Sequence, residues 1–359
     1  MGFSIHILSA SDPEWESWLT PLKGDFQHSS GYHRLAESYG EGRGYLAVYG
    51  SRERYLAWPY LLRPVVAGAT QDPTPYSDVT SVYGYPGPLG YNCASGDTFL
   101  EQAWEAMQDV WSSQHAVCAF TRFNPLFSNQ KLIPGSARKG LVLSGATVSI
   151  DLTKTDDERW REYKRQLQQH IRRGRDIGLT VEFDPDWKYL EEFERIYSST
   201  MRRNAASPYY FFTHDYFLTM KAELGNHGML AVSRLGDQII CACLIMEYGG
   251  FVNTHLAGTV DAYLALSPFK TIVHELTSYA KQRGNHSIHL GGGRAGKQDS
   301  LFRFKTEFSP RHHEFYTGRW ILRQNIYDEL SDGCTTDFFP AYRAPGLDPA
   351  AQSAAVAAC

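Results

Sequence analysis

The 359-residue sequence lacks the patterns that define several common classes of enzyme and membrane protein. It contains no GxSxG nucleophile elbow, no HExxH zinc motif and no GxxxxGK[ST] phosphate-binding loop. No apolar run is long enough to cross a membrane, and the first residues have neither a basic segment nor a long apolar one. These absences exclude hydrolases and NTPases that are defined by such motifs, and they predict a soluble, cytoplasmic protein.

Cysteine is sparse and is not arranged in metal-binding pairs. None of the six cysteines forms a CxxC pair, and Cys241 and Cys243 lie two residues apart in an apolar, strand-like run. Alternate residues of a strand share one face, so we expect both thiols to be reduced and buried. The sequence therefore predicts no zinc site, and we expect no metal and no resident cofactor.

The chain also has no excess of positive charge. Its net charge of −4 excludes a protein that is basic throughout, as many nucleic-acid binders are, but it is compatible with a local basic patch. A hydrophobic content of 43% is enough for a sizeable core. The length predicts two domains, which we place at residues 1–150 and 151–330, followed by an extension, 331–359, that is partly disordered.

Hydrophobic periodicity predicts a mixed α/β fold in both halves. In the first half it predicts one helix and several strands: helix 97–113 and strands 44–50, 54–65, 116–123 and 146–152. In the second half, helices over 189–204 and 214–224 precede a meander of three strands, after which helix, strand, helix and strand follow. This order of elements resembles that of an acetyltransferase-like (GNAT) module.

The most basic segment of the chain is predicted to form a single helix. Thr155 and Glu158 fit a capping box at its start, and Gly178 fits a cap at its end. One face carries an apolar stripe at helical spacing: Trp160, Tyr163, Leu167, Ile171 and Gly174. The basic residues, Arg159 among them, are predicted on the other faces. They form either a solvated surface or a contact with nucleic-acid phosphates through Lys164, Arg165, Arg172, Arg173 and Arg175.

Three other segments offer candidate substrate ligands. Arg202 and Arg203 at a helix end precede Tyr209 and Tyr210, a set that fits an anionic acceptor because arginine makes forked bonds to phosphate or carboxylate. The alternative is a helix end complemented by cations. Asp78, Tyr83 and Tyr85 belong to a loop rich in glycine, proline and tyrosine that either faces a cleft or packs rigidly. Asn253 and His255 alternate along a strand and are expected to share one face.

The segment DSLFRFKTEFSP, residues 299–310, is predicted to be a short helix that carries Lys305. Leu301, Phe304 and Phe308 are spaced to share one apolar face. The preceding strand end, HLGGGR, contains three glycines, which permit close approach of a ligand or a neighbouring helix. Lys305 is therefore either a solvated surface lysine or a lysine directed into a site.

Four stretches in order, TMRRNAASPYYFF, HLAGT with YLALSPFK, HLGGGR and DSLFRFKTEF, resemble the FemABX-type aminoacyltransferases over roughly residues 30–325. That family transfers amino acids from aminoacyl-tRNA to peptidoglycan precursors, and its fold consists of tandem GNAT-like modules facing each other across a cleft. The resemblance implies that Lys305 stabilises the oxyanion formed at the aminoacyl ester and that Phe304 stacks on the terminal adenine. The candidate substrate-binding set is Arg202, Arg203, Tyr209, Tyr210, Asp78, Tyr83, Tyr85, Asn253, His255, Asp299 and Arg303.

Two features depart from this family and from ordinary acetyltransferases. The chain has no room for the inserted helical hairpin of FemA-like members, and no Q/R-x-x-G-x-G/A loop for acetyl-CoA follows the meander. The predicted function is aminoacyl-tRNA-dependent amide formation on a small-molecule or peptide amine, in peptidoglycan-precursor or secondary-metabolite (antibiotic) biosynthesis. The alternatives are an N-acyltransferase that uses acyl-CoA or an acyl carrier, and a non-catalytic RNA- or phospho-ligand-binding module. Asp78, Asp299 and His255 are candidate bases.

Overall fold

The computed structural model describes residues 3–65 and 74–344, so the predicted disordered tail after residue 344 lies outside the described residues. The described chain divides into two compact units, unit 1 with residues 3–65, 74–144 and 314–344, and unit 2 with residues 145–313. Residues 314–330, which the sequence analysis assigned to the second module, are thus grouped with unit 1. The reason is that the strand His312–Ile321 pairs with Ala116–Arg122 of unit 1 through residues 317–321.

The first stretch of unit 1 alternates strands and helices. Its elements are β1 (Ser4–Ser9), α1 (Glu14–Leu19), α2 (Ser30–Ser38), β2 (Arg43–Ser51), β3 (Arg54–Pro64), β4 (Ser77–Thr80), β5 (Leu89–Tyr91), α3 (Thr98–Ser113) and β6 (Ala116–Arg122). Asp97 caps α3 by accepting a hydrogen bond from the amide of Phe99. The helix buries its apolar face, which includes Ala103 and Trp111, against a core shared with Trp58 of β3.

Unit 2 carries the meander and the segment that contains Lys305. Its elements are β7 (Leu141–Asp151), of which the residues before 145 belong to unit 1, α4 (Asp156–Glu162), α5 (Arg165–Asp176), β8 (Leu179–Asp184), α6 (Leu190–Arg203), α7 (His214–Leu224), β9 (Gly228–Leu235), β10 (Gln238–Tyr248), β11 (Phe251–Thr259), α8 (Pro268–Gln282), β12 (Ser287–Gly292) and α9 (Ser300–Lys305). The chain then returns to unit 1 through β13 (His312–Ile321) and ends its described part after α10 (Gln324–Leu330). The predicted mixed α/β fold is confirmed.

The sheet of unit 2 has the order β7-β12-β11-β10-β9-β8. Strands β9, β10 and β11 form the predicted antiparallel meander, whereas β12 joins β11 in parallel. Cys241 and Cys243 are fully buried free thiols in the core on one side of this sheet, as their spacing predicts. That core includes residues of α5 and α8, which cover the same side. Its stability comes mainly from this apolar burial.

The predicted single basic helix is wrong, because the structure divides it into α4 and α5. Tyr163 and Lys164 between them have extended backbones, with ψ of 134° and 146°. The amide of Lys164 donates to the carbonyl of Glu307 at 2.9 Å instead of continuing the helix. The buried ring of Tyr163 meanwhile lies 5.7 Å from that of Phe308. Contacts with the segment after α9 therefore override the helical periodicity.

The predictions for the two ends of this basic segment are confirmed, unlike the prediction for its middle. Thr155 and Glu158 form the predicted capping box, and Gly178 has the left-handed conformation (φ +80°) of a terminal cap. Arg159 is an exception, because its side chain is buried and donates to the carbonyl of Lys154 and to the carboxylate of Asp156. It is not part of the solvated basic face. No helix in the described part of the chain is long and apolar enough to span a membrane.

Candidate active site

The parallel pairing of β11 with β12 stops partway along both strands. The paired residues run from Phe251 opposite Ser287 to Asn253 opposite His289. Just beyond this point the register of β11 against β10 shifts between Thr254 and Leu256, and that of β12 against β7 shifts directly after His289. Such irregularities bend a strand and increase its twist. Both strands therefore change direction where their mutual pairing ends, and the alternation that predicted a shared face for Asn253 and His255 is interrupted.

A polar row crosses the sheet at this point. Ser149 of β7, His289 of β12 and Asn253 of β11 are register partners, and all three side chains are buried. Nδ1 of His289 lies 3.3 Å from Oδ1 of Asn253, and Oγ of Ser149 lies 2.7 Å from Nε2 of His313. Register partners project from the same face of a sheet, so hydroxyl, imidazole and amide groups are brought side by side. The residue before each of them along its strand, Val148, Ile288 or Val252, belongs to the apolar core of the other face.

Lys305 points inward, toward the end of β12. Its Nζ donates a hydrogen bond to the carbonyl of Gly292 at 2.7 Å. The short helix that carries it starts at Asp299, whose carboxylate accepts from the amide of Phe302 at 2.9 Å. The turn between β12 and α9 needs glycine at position 293, because a Cβ there would lie 1.9 Å from the carbonyl oxygen of Lys297. The interpretation of Lys305 as a solvated surface lysine is therefore not supported by its geometry.

Lys305 and the neighbouring polar residues Ser149, His289, Asn253 and His313 are called the Lys305 cluster below, and burial and neighbouring charges adjust its titration. Burial lowers the pKa of Lys305 to about 8, and the charge of Asp299 only partly opposes this shift. Burial also lowers the pKa of His289 to about 3, and the charges of Lys305 and His313 act in the same direction. At neutral pH the cluster thus combines a largely charged ammonium group with a neutral imidazole. The pKa of His255 is lowered by burial to about 4, so this imidazole is neutral as well.

The lowered pKa of Lys305 predicts a pH dependence. The contribution of the charged ammonium group to activity is expected to be constant at lower pH and to fall as pH rises through about 8, where the proton is lost. The measurement is kcat/KM from pH 6 to pH 9.5, expressed as the ratio of the wild type to Lys305→Arg. This ratio cancels titration of the acceptor amine, because arginine stays charged over the whole range. A ratio that does not change with pH would contradict the prediction.

Phe304 contributes to an aromatic cluster beside Lys305. Its ring is stacked with that of Phe269 at 5.8 Å between centroids and meets the ring of Phe308 edge-on at 5.6 Å. Lys270 lies under the same cluster, with Nζ 5.7 Å from the centroid of Phe304. The ring of Phe304 is only partly buried, so part of its surface remains available to a ligand.

Lys270 is a buried lysine that sequence reasoning did not single out. Its Nζ lies 2.8 Å from Oε2 of Glu307 and 3.4 Å from Nδ1 of His170. This ion pair connects the start of α8 with the segment after α9, so it fixes the end of the helix that carries Lys305. The sequence feature that could have indicated it is the stretch SPFK, where a single lysine follows apolar residues at the start of a helix. His289, Ser149 and His313 were also missed, because they become neighbours only through strand pairing.

The candidate nucleic-acid residues lie on the basic side of α5 or at its start. Arg165, Arg172, Arg173 and Arg175 are exposed, as is Lys164. Arg172 stacks on Trp160 with its guanidinium carbon 5.4 Å from the ring centroid, and Arg175 lies 2.8 Å from Nε2 of His274. The five residues therefore form an exposed basic surface of unit 2.

The candidate acceptor residues on α6 are not part of the Lys305 cluster. Arg203 donates to the carboxylate of Asp261 and, at 3.2 Å, to the carbonyl of Thr259. Thr259 lies six residues beyond Asn253 on β11, a separation of roughly 20 Å along a strand. Arg202 is exposed, whereas Tyr209 is buried and Tyr210 is partly buried beside it, with their ring centroids 5.3 Å apart.

The other predicted ligands are distributed over both units. Asp78 is fully buried in unit 1, where its carboxylate accepts from Nε of Arg63 at 2.7 Å and from Nε of Arg343. Tyr83 and Tyr85 are partly buried in unit 1.

In unit 2, Arg303 is exposed on the outer side of α9. The amides of Phe302 and Arg294 and the charge of Arg294 outweigh the effect of burial and lower the pKa of Asp299. Asp299 is thus a helix cap that carries a charge, and it is a weak base.

One known family matches the part of the chain that carries the site. Residues 161–306, which include β11, β12 and Lys305, match the family model of the acetyltransferase (GNAT) domain. This match covers most of unit 2, and residues 161–306 are called the GNAT domain below. The comparison with curated proteins gives no match to this sequence. The GNAT domain thus contains the whole Lys305 cluster except Ser149 and His313.

Solved structures show the same fold over most of the chain. A structure of FemX is 14% identical, with a TM-score of 0.68, and the alignment covers 90% of this chain and 99% of that one. L-PGS from Bacillus licheniformis is 15% identical, with a TM-score of 0.55 and coverage of 87% and 92%. The C-terminal domain of a putative lysylphosphatidylglycerol synthetase from Agrobacterium fabrum is 15% identical, with a TM-score of 0.51 and coverage of 85% and 92%. The predicted resemblance to a FemABX-type fold is confirmed.

Proposed function

We propose that the chain transfers an aminoacyl group from aminoacyl-tRNA to the amine of a small molecule or peptide. The observation that carries this proposal is the inward ammonium group of Lys305, held by the carbonyl of Gly292 where the pairing of β11 with β12 ends. An aminoacyl ester is already activated, so catalysis needs alignment of the amine with the carbonyl and a positive charge at the developing oxyanion. Both needs are met without a covalent nucleophile.

The neighbouring groups of the GNAT domain fit the rest of this reaction. Phe304 offers a partly exposed ring for the terminal adenine, and the exposed basic surface of α5 offers phosphate contacts. The neutral imidazole of His289 and the hydroxyl of Ser149 lie in the buried polar row beside the end of β12 that binds Lys305. Two similar structures support the proposal. FemX has this fold and belongs to the family that the sequence motifs resemble, and another similar structure is described as a putative lysylphosphatidylglycerol synthetase.

A second candidate donor is acyl-CoA, because the matched family model is described as an acetyltransferase domain. The segment that leads into α8, DAYLALSPFK, nevertheless contains no glycine and no basic residue before Lys270. Lys270 itself is held by Glu307 in an ion pair with 6% and 16% side-chain exposure. The start of α8 therefore offers few groups for a pyrophosphate, which favours the aminoacyl-tRNA donor.

A donor test separates these two functions. We expect aminoacyl-tRNA to bind with an affinity that falls steeply with salt, and acetyl-CoA not to bind. Changing Arg172 and Arg173 together to Ala should weaken tRNA binding several-fold and reduce the salt slope by about one to two, since each lost phosphate contact removes close to one unit. The measurement is a titration with bulk aminoacyl-tRNA and with acetyl-CoA at 50 and 200 mM salt.

The matched control changes Arg195 and Lys221, two exposed basic residues of α6 and α7, to Ala. This variant loses the same charge from other helices of the GNAT domain and should bind tRNA almost as the wild type does. Tight binding of acetyl-CoA together with indifference to tRNA would overturn the proposed donor and leave acyl-CoA in its place.

A further inference from the structure

The outer side of α9 forms one wall of a groove that is distinct from the Lys305 cluster. The groove has a volume of about 560 Å³, and residues from α4, the break before α5, α9 and the start of β13 line it. Arg303 and Lys305 are two positions apart on α9, so they project roughly 200° apart around the helix. Arg303 thus projects away from Lys305, whereas Phe302, three positions before Lys305, projects within about 60° of it, so the groove runs along one flank of the helix that carries Lys305.

The polar groups around this groove are mostly hydrogen-bond donors. Lys164 is exposed and donates to the hydroxyl of Thr306 at 3.1 Å, and Arg303, three positions before Thr306, is exposed as well. Gln298 adds an exposed amide. The single carboxylate among the lining residues, Glu162, forms an ion pair with Lys154. A groove with two cations and a neutralised acid fits an anionic ligand.

The floor of the groove is apolar and aromatic. The buried ring of Phe302 lies 5.5 Å from the ring of His312, and both residues line the groove. Basic donors and an exposed aromatic ring, here the imidazole of His312, are the two elements with which proteins hold unpaired nucleotides, whose phosphates bind basic groups and whose bases stack. A double helix exposes no base face to such a floor, so this combination favours a single strand.

We infer that this groove binds a nucleotide of the single-stranded 3′ end of the tRNA, with Lys164 and Arg303 on its phosphate and the exposed imidazole of His312, which packs beside the buried Phe302, under its base. The inference rests on the proposed function and adds to it the route that the tRNA takes over the protein. The single-stranded RNA end passes along the outer side of α9 before the aminoacyl group that it carries reaches Lys305. Lys164 has this position because the basic segment breaks there and its amide bonds to Glu307.

The test compares two hairpin RNAs with the same acceptor stem, one with a four-nucleotide single-stranded 3′ end and one with a blunt end. We expect the single-stranded end to strengthen binding by the full-length wild type by roughly tenfold, the effect of one stacked and contacted base. In Arg303→Ala, and in Lys164→Ala, this advantage should fall below about threefold. The salt slope for the single-stranded RNA should fall by about 0.7, the value for one lost contact to a single strand.

The control Arg195→Ala removes an exposed arginine from α6 and should keep the tenfold advantage. If Arg303→Ala weakens binding of both hairpins equally, or of neither, the groove inference is overturned while the proposed function stands. If the wild type binds neither hairpin, both fall. Adenosine 3′,5′-bisphosphate serves as the probe for the nucleotide part of CoA. Arg303-dependent binding of this probe without RNA binding would assign the groove to an acyl-CoA donor and overturn the inference.

Discussion

Lys305→Ala is expected to lower turnover by about 10²- to 10³-fold, the usual loss when one preorganised donor to an oxyanion is removed. The ammonium group of Lys305 is oriented by its hydrogen bond to the carbonyl of Gly292. Binding of hairpin RNA should remain close to that of the wild type, because the phosphate contacts are made elsewhere. The measurements are single-turnover transfer rates and RNA affinity on the same protein preparations.

Two further variants make this result interpretable. Lys297→Ala removes an exposed lysine from the same segment and should keep wild-type turnover. Lys305→Arg retains the charge and should recover part of the rate, although its planar group does not reproduce the geometry of an ammonium. Turnover that is unchanged in Lys305→Ala would contradict the catalytic role. A third outcome would favour a non-catalytic binding module: the wild type shows no transfer activity, and Lys305→Ala loses RNA binding.

Asp78→Asn is expected to lower the free energy of unfolding of unit 1 by about 3–5 kcal/mol, because it leaves two buried arginines without their counter-charge. The Asp78 carboxylate is 0% exposed, and the side chains of Arg63 and Arg343 are each 9% exposed. Urea unfolding followed by tryptophan fluorescence reports on this unit, because it contains every tryptophan except Trp160 and Trp187.

Glu14→Gln provides the matched control for this measurement. It removes the carboxylate of an exposed ion pair in the same unit, that of Glu14 with Arg52 at 3.7 Å, and should change stability by less than about 1 kcal/mol. Wild-type stability of Asp78→Asn combined with a raised KM for the acceptor would instead support the sequence-based assignment of Asp78 as a substrate ligand.

Much of the fold could be predicted from local patterns in the sequence. The meander, the burial of Cys241 and Cys243 and the capping box at Thr155 depend on alternation, turn residues and capping chemistry, which act over a few residues. The apolar face of the Lys305 helix was predicted less well. Leu301 is 36% exposed and Phe302 is 5% exposed, because the cap at Asp299 starts the helix one turn before Phe302 and sets its orientation.

The site residues divide in the same way. The motif around Phe304 and Lys305 could be matched to the FemABX-type family from the sequence because its residues are consecutive. The polar row was not, because Ser149, Asn253 and His289 are more than thirty residues apart and become neighbours only through strand register. Sequence also placed Arg303 and Lys164 in different roles, whereas both line one groove of unit 2.

The sequence by itself determined the element types, the segregation of basic charge on the segment around α5 and the presence of a lysine at the end of the FRFK motif. Only the tertiary structure decided where these groups point. The amide of Lys164 bonds to Glu307 and breaks the basic helix, and the carbonyl of Gly292 receives the ammonium of Lys305. Hydrogen bonds between segments more than ten residues apart leave no periodic trace in the sequence, so their effects appear only in the folded chain.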